Sequence, residues 1–409
     1  MERHEPAPHE LASIRLHTPV SIVVPTFREA ENIPRLIDRV AALAEATDIE
    51  LELLFADDNS RDGSFEAVEA CGYPWVKMLV RTEDPGLSQS VIDGMRAAQH
   101  PAIVCMDCDL SHPPERIPQL ILALESGQQF VVGSRYVPGG STDDDWGLFR
   151  WLNSRIATWL ARPLTDIKDP MSGFFAMRKS DFDAAEDLNP VGYKIALELI
   201  VKCRLENVGE VPIHFTDREL GESKLSLRQQ LLYLQHLRRL YMYKFSTAME
   251  LLQFLVVGSS GMVVNLVTLT LLSLIGWSDG LALLGGIVVS VLSNFMLNRR
   301  FTFSYARNGH FYKQMAGYFT VTGIGAAINY LVALVTRQTL LSDFGLGLQL
   351  SAVVGIGAGM AFNFLGNRFF VFKRKSYAKR QGAASPRQAK PVEAVAPIES
   401  PEAEMSSAG

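Results

Sequence analysis

The stretch C105-M-D-C-D-L-S-H-P-P-E115 decides how the first half of the chain is read. Apolar residues Ala102 to Val104 and Met106 lead into it, which predicts a buried strand over 102–109. Pro113 and Pro114 then open a helix over 114–126. Asp107 and Asp109 thus fall at the carboxyl end of a strand. Two carboxylates this close repel, and one is driven toward protonation unless a cation sits between them. Hard divalent ions such as Mg²⁺ or Mn²⁺ accept few carboxylates and take their remaining oxygens from substrate phosphates. Side chains two apart on a strand share a face, so both acids could reach one ion. The alternative is a solvated loop carrying two ordinary acids.

The flanking sequence repeats the same grammar. V20-S-I-V-V-P-T-F27, E50-L-E-L-L-F-A-D-D58, V76-K-M-L-V-R81 and F130-V-V-G-S-R-Y136 read as strands, and 31–46 and 87–99 as helices. Alternation of this kind predicts an α/β domain with a mostly parallel sheet covered on both faces. Ligands in such folds collect at the carboxyl ends of the strands, where Asp57-Asp58 and Asp107-x-Asp109 both lie. No G-x-G-x-x-G follows the first strand and no G-x-x-x-x-G-K-[ST] occurs, which argues against dinucleotide oxidoreductases and P-loop NTPases.

The net charge of −5 gives no basic field that would suggest nucleic acid. Of the four cysteines, Cys105 and Cys108 form a C-x-x-C, but there is no second pair for a four-thiolate zinc site. Residues 1–17 are polar with no apolar core of a signal peptide, so the first domain is expected to stay cytosolic, and 376–409 read as a disordered tail.

Six blocks in order resemble one family: V-V-P-T-F-R-E-A-E-N (23–32), A-D-D-N-S-R-D-G-S (56–64), M-D-C-D-L-S-H-P-P (106–114), V-V-G-S-R-Y (131–136), D-P-M-S-G-F-F (169–175) and G-E-V-P-I-H-F-T-D-R-E-L-G-E-S-K-L (209–225). They resemble the polyprenyl-phosphate glycosyltransferases, the group of dolichyl-phosphate mannosyltransferase and the undecaprenyl-phosphate glucosyltransferases. The resemblance implies an inverting glycosyltransferase A-type fold over 18–225 that moves a hexose, mannose before glucose, from GDP-mannose or UDP-glucose to dolichyl or undecaprenyl phosphate. It implies that Pro25, Phe27, Glu29, Asp57 and Asp58 line the nucleoside pocket and that Arg81 and Gly86 border the donor. Asp107, Asp109 and Ser111 are implied as the metal position, with Asp109 also catalytic. Arg135, Arg150 and Ser154 are implied to grip the acceptor phosphate, and Arg218 and Lys224 to sit in a loop that closes over the site. The acceptor phosphate is already anionic near neutral pH, so it needs no strong base. What it needs is charge management at the departing diphosphate and at the incoming anion.

Blander roles stand beside several of these. Asp57-Asp58 could cap the next helix, His112 could be a helix-start hydrogen-bonder in place of a metal ligand, and Glu198 could be a buried acid paired with an arginine. Arg155 and Arg162 could simply be solvated.

The second half differs in kind. Segments 251–275, 281–298, 314–336 and 346–367 are long and apolar, near the roughly 20 residues that cross a bilayer as a helix. They repeat in pairs. F254-x3-G258-x2-G261-x3-N265 aligns with Y318-x6-G325-x3-N329, and N294-x3-N298-R-R-F-T-F303 with N363-x3-N367-R-F-F-V-F372. The region 247–375 resembles the GtrA-like membrane domain, for which the resemblance implies flipping or organising of lipid-linked sugars. Arg299, Arg300, Arg307 and Lys313, with Lys373, Arg374, Lys375, Lys379 and Arg380, place both basic loops on the cytosolic side, with the catalytic domain and both termini. Asn265, Asn294, Asn329 and Asn363 either join helices or meet a lipid headgroup. Residues 226–246 read as a basic amphipathic helix at the membrane surface, or as one that only packs on the domain. A second copy of the chain is a further candidate partner. Two other functions remain: a processive polysaccharide synthase, whose usual Q-x-x-R-W is missing here, and a lipid-sugar transporter that only binds nucleotide.

Overall fold

The computed structural model describes residues 14–142, 148–185, 188–189, 194–216, 227–342 and 346–373. The chain divides into two compact units, residues 1–249 and 250–409.

The first unit is built on a seven-stranded sheet of order β3-β2-β1-β4-β7-β5-β8. Its strands are β1 (Val20–Thr26), β2 (Leu51–Asp57), β3 (Val76–Val80), β4 (Ala102–Cys105), β5 (Phe130–Ser134), β7 (Phe175–Arg178) and β8 (Val208–Pro212); β6 (Ser141–Thr142) pairs separately with β9 (His214–Phe215). Strands β1, β4 and β5 are buried along their whole length because both sheet faces are covered. Ile22, Val24, Ala102, Val104 and Val131 enter one core. Their neighbours Val23, Ile103, Cys105, Phe130 and Val132 enter the other, as a side-chain period of two requires. Helices α1 (Asn32–Thr47), α2 (Ser64–Ala70), α3 (Leu87–Ala97) and α4 (Ile117–Glu125) cover the sheet. Gly94 lets α3 approach closely, since a Cβ there would collide with Val23.

The sheet is mostly parallel, as expected, with one exception: β7 inserts between β4 and β5 and runs antiparallel to both, while β1 pairs in parallel with β2 and β4, and β5 with β8. One sequence expectation changes: β4 ends at Cys105, not at residue 109. Asp107 and Asp109 therefore stand on the loop beyond the strand, where Leu110 takes a left-handed φ of 61°, and strand periodicity does not set their directions. The chain continues through α5 (Leu148–Ala161), α6 (Lys179–Asp183), α7 (Ile195–Lys202) and α8 (Leu227–Lys244). Leu237 and Leu240 of α8 pack with Ala161, Leu164, Leu197 and Val201.

The second unit holds α9 (Ser246–Leu274), α10 (Asp279–Leu297), α11 (Phe311–Thr339) and α12 (Gly347–Gly366). Each belongs to a helical segment long and apolar enough to cross a membrane. The repeat seen in sequence is physical. Asn294 lies on Gly261 and Asn363 on Gly325, while Asn265 meets Gly286 and Asn329 meets Gly355. Each amide thus sits where a glycine on the facing helix leaves room, and the Oδ1 atoms of Asn265, Asn294 and Asn363 have no hydrogen-bond partner among the described residues. Arg299 donates from Nε to Gln314 at 2.9 Å. In the second repeat Arg368 meets the buried Glu250 at 3.1 Å. Phe254, Phe295, Phe303, Tyr318, Phe364 and Phe372 form the apolar centre.

Candidate active site

Asp57 ends β2 and is buried. It accepts from the Ser60 backbone N at 2.8 Å and from the Thr26 hydroxyl at 3.3 Å, so it ties the ends of β1 and β2 together. The helix-cap alternative fails, because the carboxylate at the start of α2 is Asp62, which accepts from Ser64 N at 3.1 Å and Ser64 Oγ at 2.6 Å. Beside it Phe27 is 51% exposed, with the Arg28 guanidinium 5.1 Å from its ring centre. Pro25 is buried within β1. Glu29 accepts from Asn32 Nδ2 at 2.6 Å. An exposed aromatic ring close in sequence to the end of β1 suits stacking on a purine or pyrimidine ring.

Asp58 turns the other way into a dense network. It accepts from Arg81, from Gly86 N at 2.8 Å and from the Ser90 hydroxyl at 2.9 Å. Arg81 also donates to Asp93 Oδ2 at 2.9 Å and to the Asp84 carbonyl at 3.0 Å, and is 7% exposed. The structure therefore brings Asp58, Arg81 and Gly86 together, with Arg81 as the buried hub that shapes the loop entering α3.

At the end of β4, the Asp107 N–H donates to His112 Nδ1 at 3.0 Å. Ser111 donates to Asp109 Oδ1 from its backbone N at 3.1 Å and its hydroxyl at 2.6 Å. His112 is buried, stacked on Phe174 at 5.4 Å. Burial pushes its pKa down, against the pull of Asp107 and Asp109 in the opposite direction. Its Nδ1, as acceptor of the Asp107 N–H, shapes the turn that carries the two acids. Cys105 and Cys108 lie in opposite cores, their pKa values raised by burial, and neither is bonded in a disulfide.

The Asp107 side chain is 31% exposed. Gly173 faces it: a Cβ built there would stand 3.5 and 3.6 Å from the two carboxylate oxygens. Among the described residues no third Asp, Glu, His or Cys joins these two acids. Two carboxylates on one short turn, with no third protein ligand among the described residues, fit a hard divalent ion that completes its shell with substrate oxygens. Ser111 is spent on orienting Asp109.

The end of β5 carries Arg135. Its Nε and Nη2 donate to Asp169 at 2.7 and 2.8 Å, and its backbone N adds a third bond at 3.1 Å. Burial opposes the guanidinium charge, but the Asp169 bonds outweigh it and raise the Arg135 pKa. The ring of Phe215 lies 5.1 Å below. Nearby is a cation that sequence reasoning passed over. Lys194 stands just before α7, its amine 3.4 Å from the Met171 carbonyl. Burial and then Arg135 bring its pKa down to about 8, while Asp169 and Asp107 pull it back up. The only sequence signal was its neighbour Glu198, and that acid pairs not with an arginine but with Lys202 at 2.9 Å and His236 at 3.5 Å.

Arg150 and Ser154 lie on α5, with side chains outside the described residues. Arg218 and Lys224 lie outside the described residues altogether.

Known proteins supply the frame for this arrangement. Residues 21–185 match the model of glycosyl transferase family 2, and 253–372 and 327–385 match the GtrA/DPMS transmembrane domain. A dolichol-phosphate mannosyltransferase of Pyrococcus furiosus is 35% identical over 355 residues, 85% of this chain and 98% of that one. The chain belongs to the polyprenyl-phosphate glycosyltransferase family. A dolichol-phosphate mannosyltransferase of Saccharomyces cerevisiae is 43% identical over 235 residues, 55% of this chain and 88% of that one. A polyprenol monophosphomannose synthase of Mycolicibacterium smegmatis is 33% identical over 239 residues, with the same coverage of each. Among solved structures, mannosyl-3-phosphoglycerate synthase from Rubrobacter xylanophilus overlays with a TM-score of 0.45 at 19% identity, over 58% of this chain and 79% of that one. As a family member this protein is a glycosyltransferase, and its α/β domain precedes four candidate membrane-spanning helices.

Proposed function

We propose that the protein moves mannose, with inversion, from GDP-mannose to a polyprenyl phosphate at the cytosolic face of a membrane. The observation that carries this reading is the relative from Pyrococcus furiosus, matched over 98% of its length. The acidic turn at Asp107 and Asp109 supports it chemically. Residues 18–225 do the chemistry, 226–246 lie at the membrane surface and 247–375 anchor the enzyme.

A phosphate oxygen of the lipid attacks C1 of the sugar from the face opposite the leaving group, and the nucleotide diphosphate departs with the bonding electrons. Phe27 and Asp57 hold the nucleoside. Asp107 and Asp109 would hold Mg²⁺ or Mn²⁺, which supplies charge to the departing diphosphate. Arg135, fixed by Asp169, presents a rigid guanidinium toward the acceptor phosphate, with Arg150 and Ser154 from α5. Lys194 adds positive charge beside Arg135, and Arg218 and Lys224 are assigned to the donor by the resemblance. Removing one stabiliser of this kind raises the barrier by about 3 kcal/mol, roughly a hundredfold in rate.

The deciding experiment incubates membranes containing the protein with labelled GDP-mannose or UDP-glucose and polyprenyl phosphate, and identifies the lipid product. Mannosyl lipid from GDP-mannose is expected. Glucosyl lipid alone would overturn the sugar, and no labelled lipid from any donor would overturn the reaction.

A further inference from the structure

Helix α5 carries a feature that sugar transfer does not use. Arg155, Ile156, Thr158, Trp159 and Arg162 line an open cavity of about 340 Å³. The two arginines are seven residues apart, two helical turns, and so share a face. Both are exposed. Trp159 is 72% exposed, and Leu152 and Ile156 continue its stripe at 47% and 49%. Thr158 is buried in the wall, its hydroxyl without a partner among the described residues. We propose that this groove seats the phosphate of an anionic phospholipid of the surrounding bilayer, at a site separate from the acceptor's.

Charge names the ligand class. Two guanidiniums across one groove match a phosphate diester, and an exposed tryptophan between them suits the level of lipid headgroups. The fold argues that the anion is membrane-borne. Helix α8 packs along α5: Tyr233 Oη donates to the Ala157 carbonyl at 2.7 Å, Tyr241 Oη to Leu160 at 2.8 Å and Lys244 Nζ to Leu164 at 2.8 Å. Lys244 ends α8, and the first membrane-spanning helix begins at Ser246. The groove is thus held beside the turn of chain that leads into the bilayer. Helix α8 itself exposes apolar side chains, Leu231 and Leu234, at 55% and 50%. The acceptor row is elsewhere on the helix. At 3.6 residues per turn, positions 150 and 154 lie about 140° and 100° around the axis from 155.

The test uses the full chain in phosphatidylcholine nanodiscs doped with photoreactive phosphatidylglycerol or, in parallel, photoreactive phosphatidylcholine, with crosslinks mapped to the 148–164 segment. Phosphatidylglycerol should label that segment well above phosphatidylcholine. Arg155→Gln and Arg162→Gln should each cut the excess about fivefold. The double Arg→Lys variant should keep most of it, which separates charge from folding. Equal labelling by the two lipids, or full labelling of the double Gln variant, would overturn the site. So would loss of labelling when one equivalent of undecaprenyl phosphate is added, since the groove would then belong to the acceptor. The inference is independent of which sugar is transferred.

Discussion

Replacing Asp169 by alanine should cripple both stability and acceptor binding, because it strands a charge. The Asp169 carboxylate is fully buried and the Arg135 side chain only 11% exposed. Two charge-assisted bonds from Nε and Nη2 and one from the Arg135 backbone are lost together. Bonds to charged groups contribute about 1.5–3 kcal/mol each, and removing one partner of a buried pair costs about 3–5 kcal/mol. For a domain of this size, a loss of 1 kcal/mol lowers Tm by about 2–4 °C, so the drop should be roughly 6–20 °C. The double variant Asp169→Ala/Arg135→Ala removes the stranded guanidinium with its partner. It should recover part of the loss and show a coupling energy of at least ~2 kcal/mol. Thermal unfolding of the full chain in detergent, followed by tryptophan fluorescence for all four members of the cycle, measures this. Transfer assays on the same proteins should show KM for the lipid rising more than KM for the donor. Additivity within ~0.5 kcal/mol, or an Asp169→Ala protein with unchanged Tm, would refute the clamp.

Lys194 makes a pH prediction. Its folded pKa of about 8 lies below the ordinary 10.5, so between these values the unfolded chain binds the extra proton and stability rises with pH. Lys194→Met should abolish that rise, and transfer by the wild type but not by the variant should decline as pH passes about 8. Asp109→Ala, or chelation of divalent ions, should slow transfer about a hundredfold while the melting transition persists; full-speed transfer in chelator would remove the metal from the mechanism. In the membrane unit, Gly325→Ala should destabilise by about 1–3 kcal/mol, because a Cβ there meets Asn363. Gly323→Ala, with nothing within 4 Å, should be tolerated in the same detergent unfolding assay.

The local signals in this chain were readable without coordinates. Apolar runs such as Val20–Thr26 and Phe130–Ser134 announce strands because a strand covered on both faces must be apolar throughout. The Asn-to-Gly spacing of the membrane half announced its repeat, because each amide needs a small residue opposite. The acidic pair at 107 and 109 could be located, though the turn that aims it could not, since that depends on His112 folding back onto a backbone N–H.

Sequence by itself therefore settled the strands and most of the helices up to residue 136, the division into an α/β half and an apolar helical half, and the family. Those rest on short-range periodicity and on blocks of neighbouring residues. Tertiary structure alone decided which charges meet: Arg81 with Asp58 and Asp93, Arg135 with Asp169, Lys194 beside them, and β7 threaded antiparallel between β4 and β5. The reason is that these partners are far apart along the chain or lie on different elements. A carboxylate's effect on a guanidinium depends on distance and burial, and neither is written in the residues on either side of it.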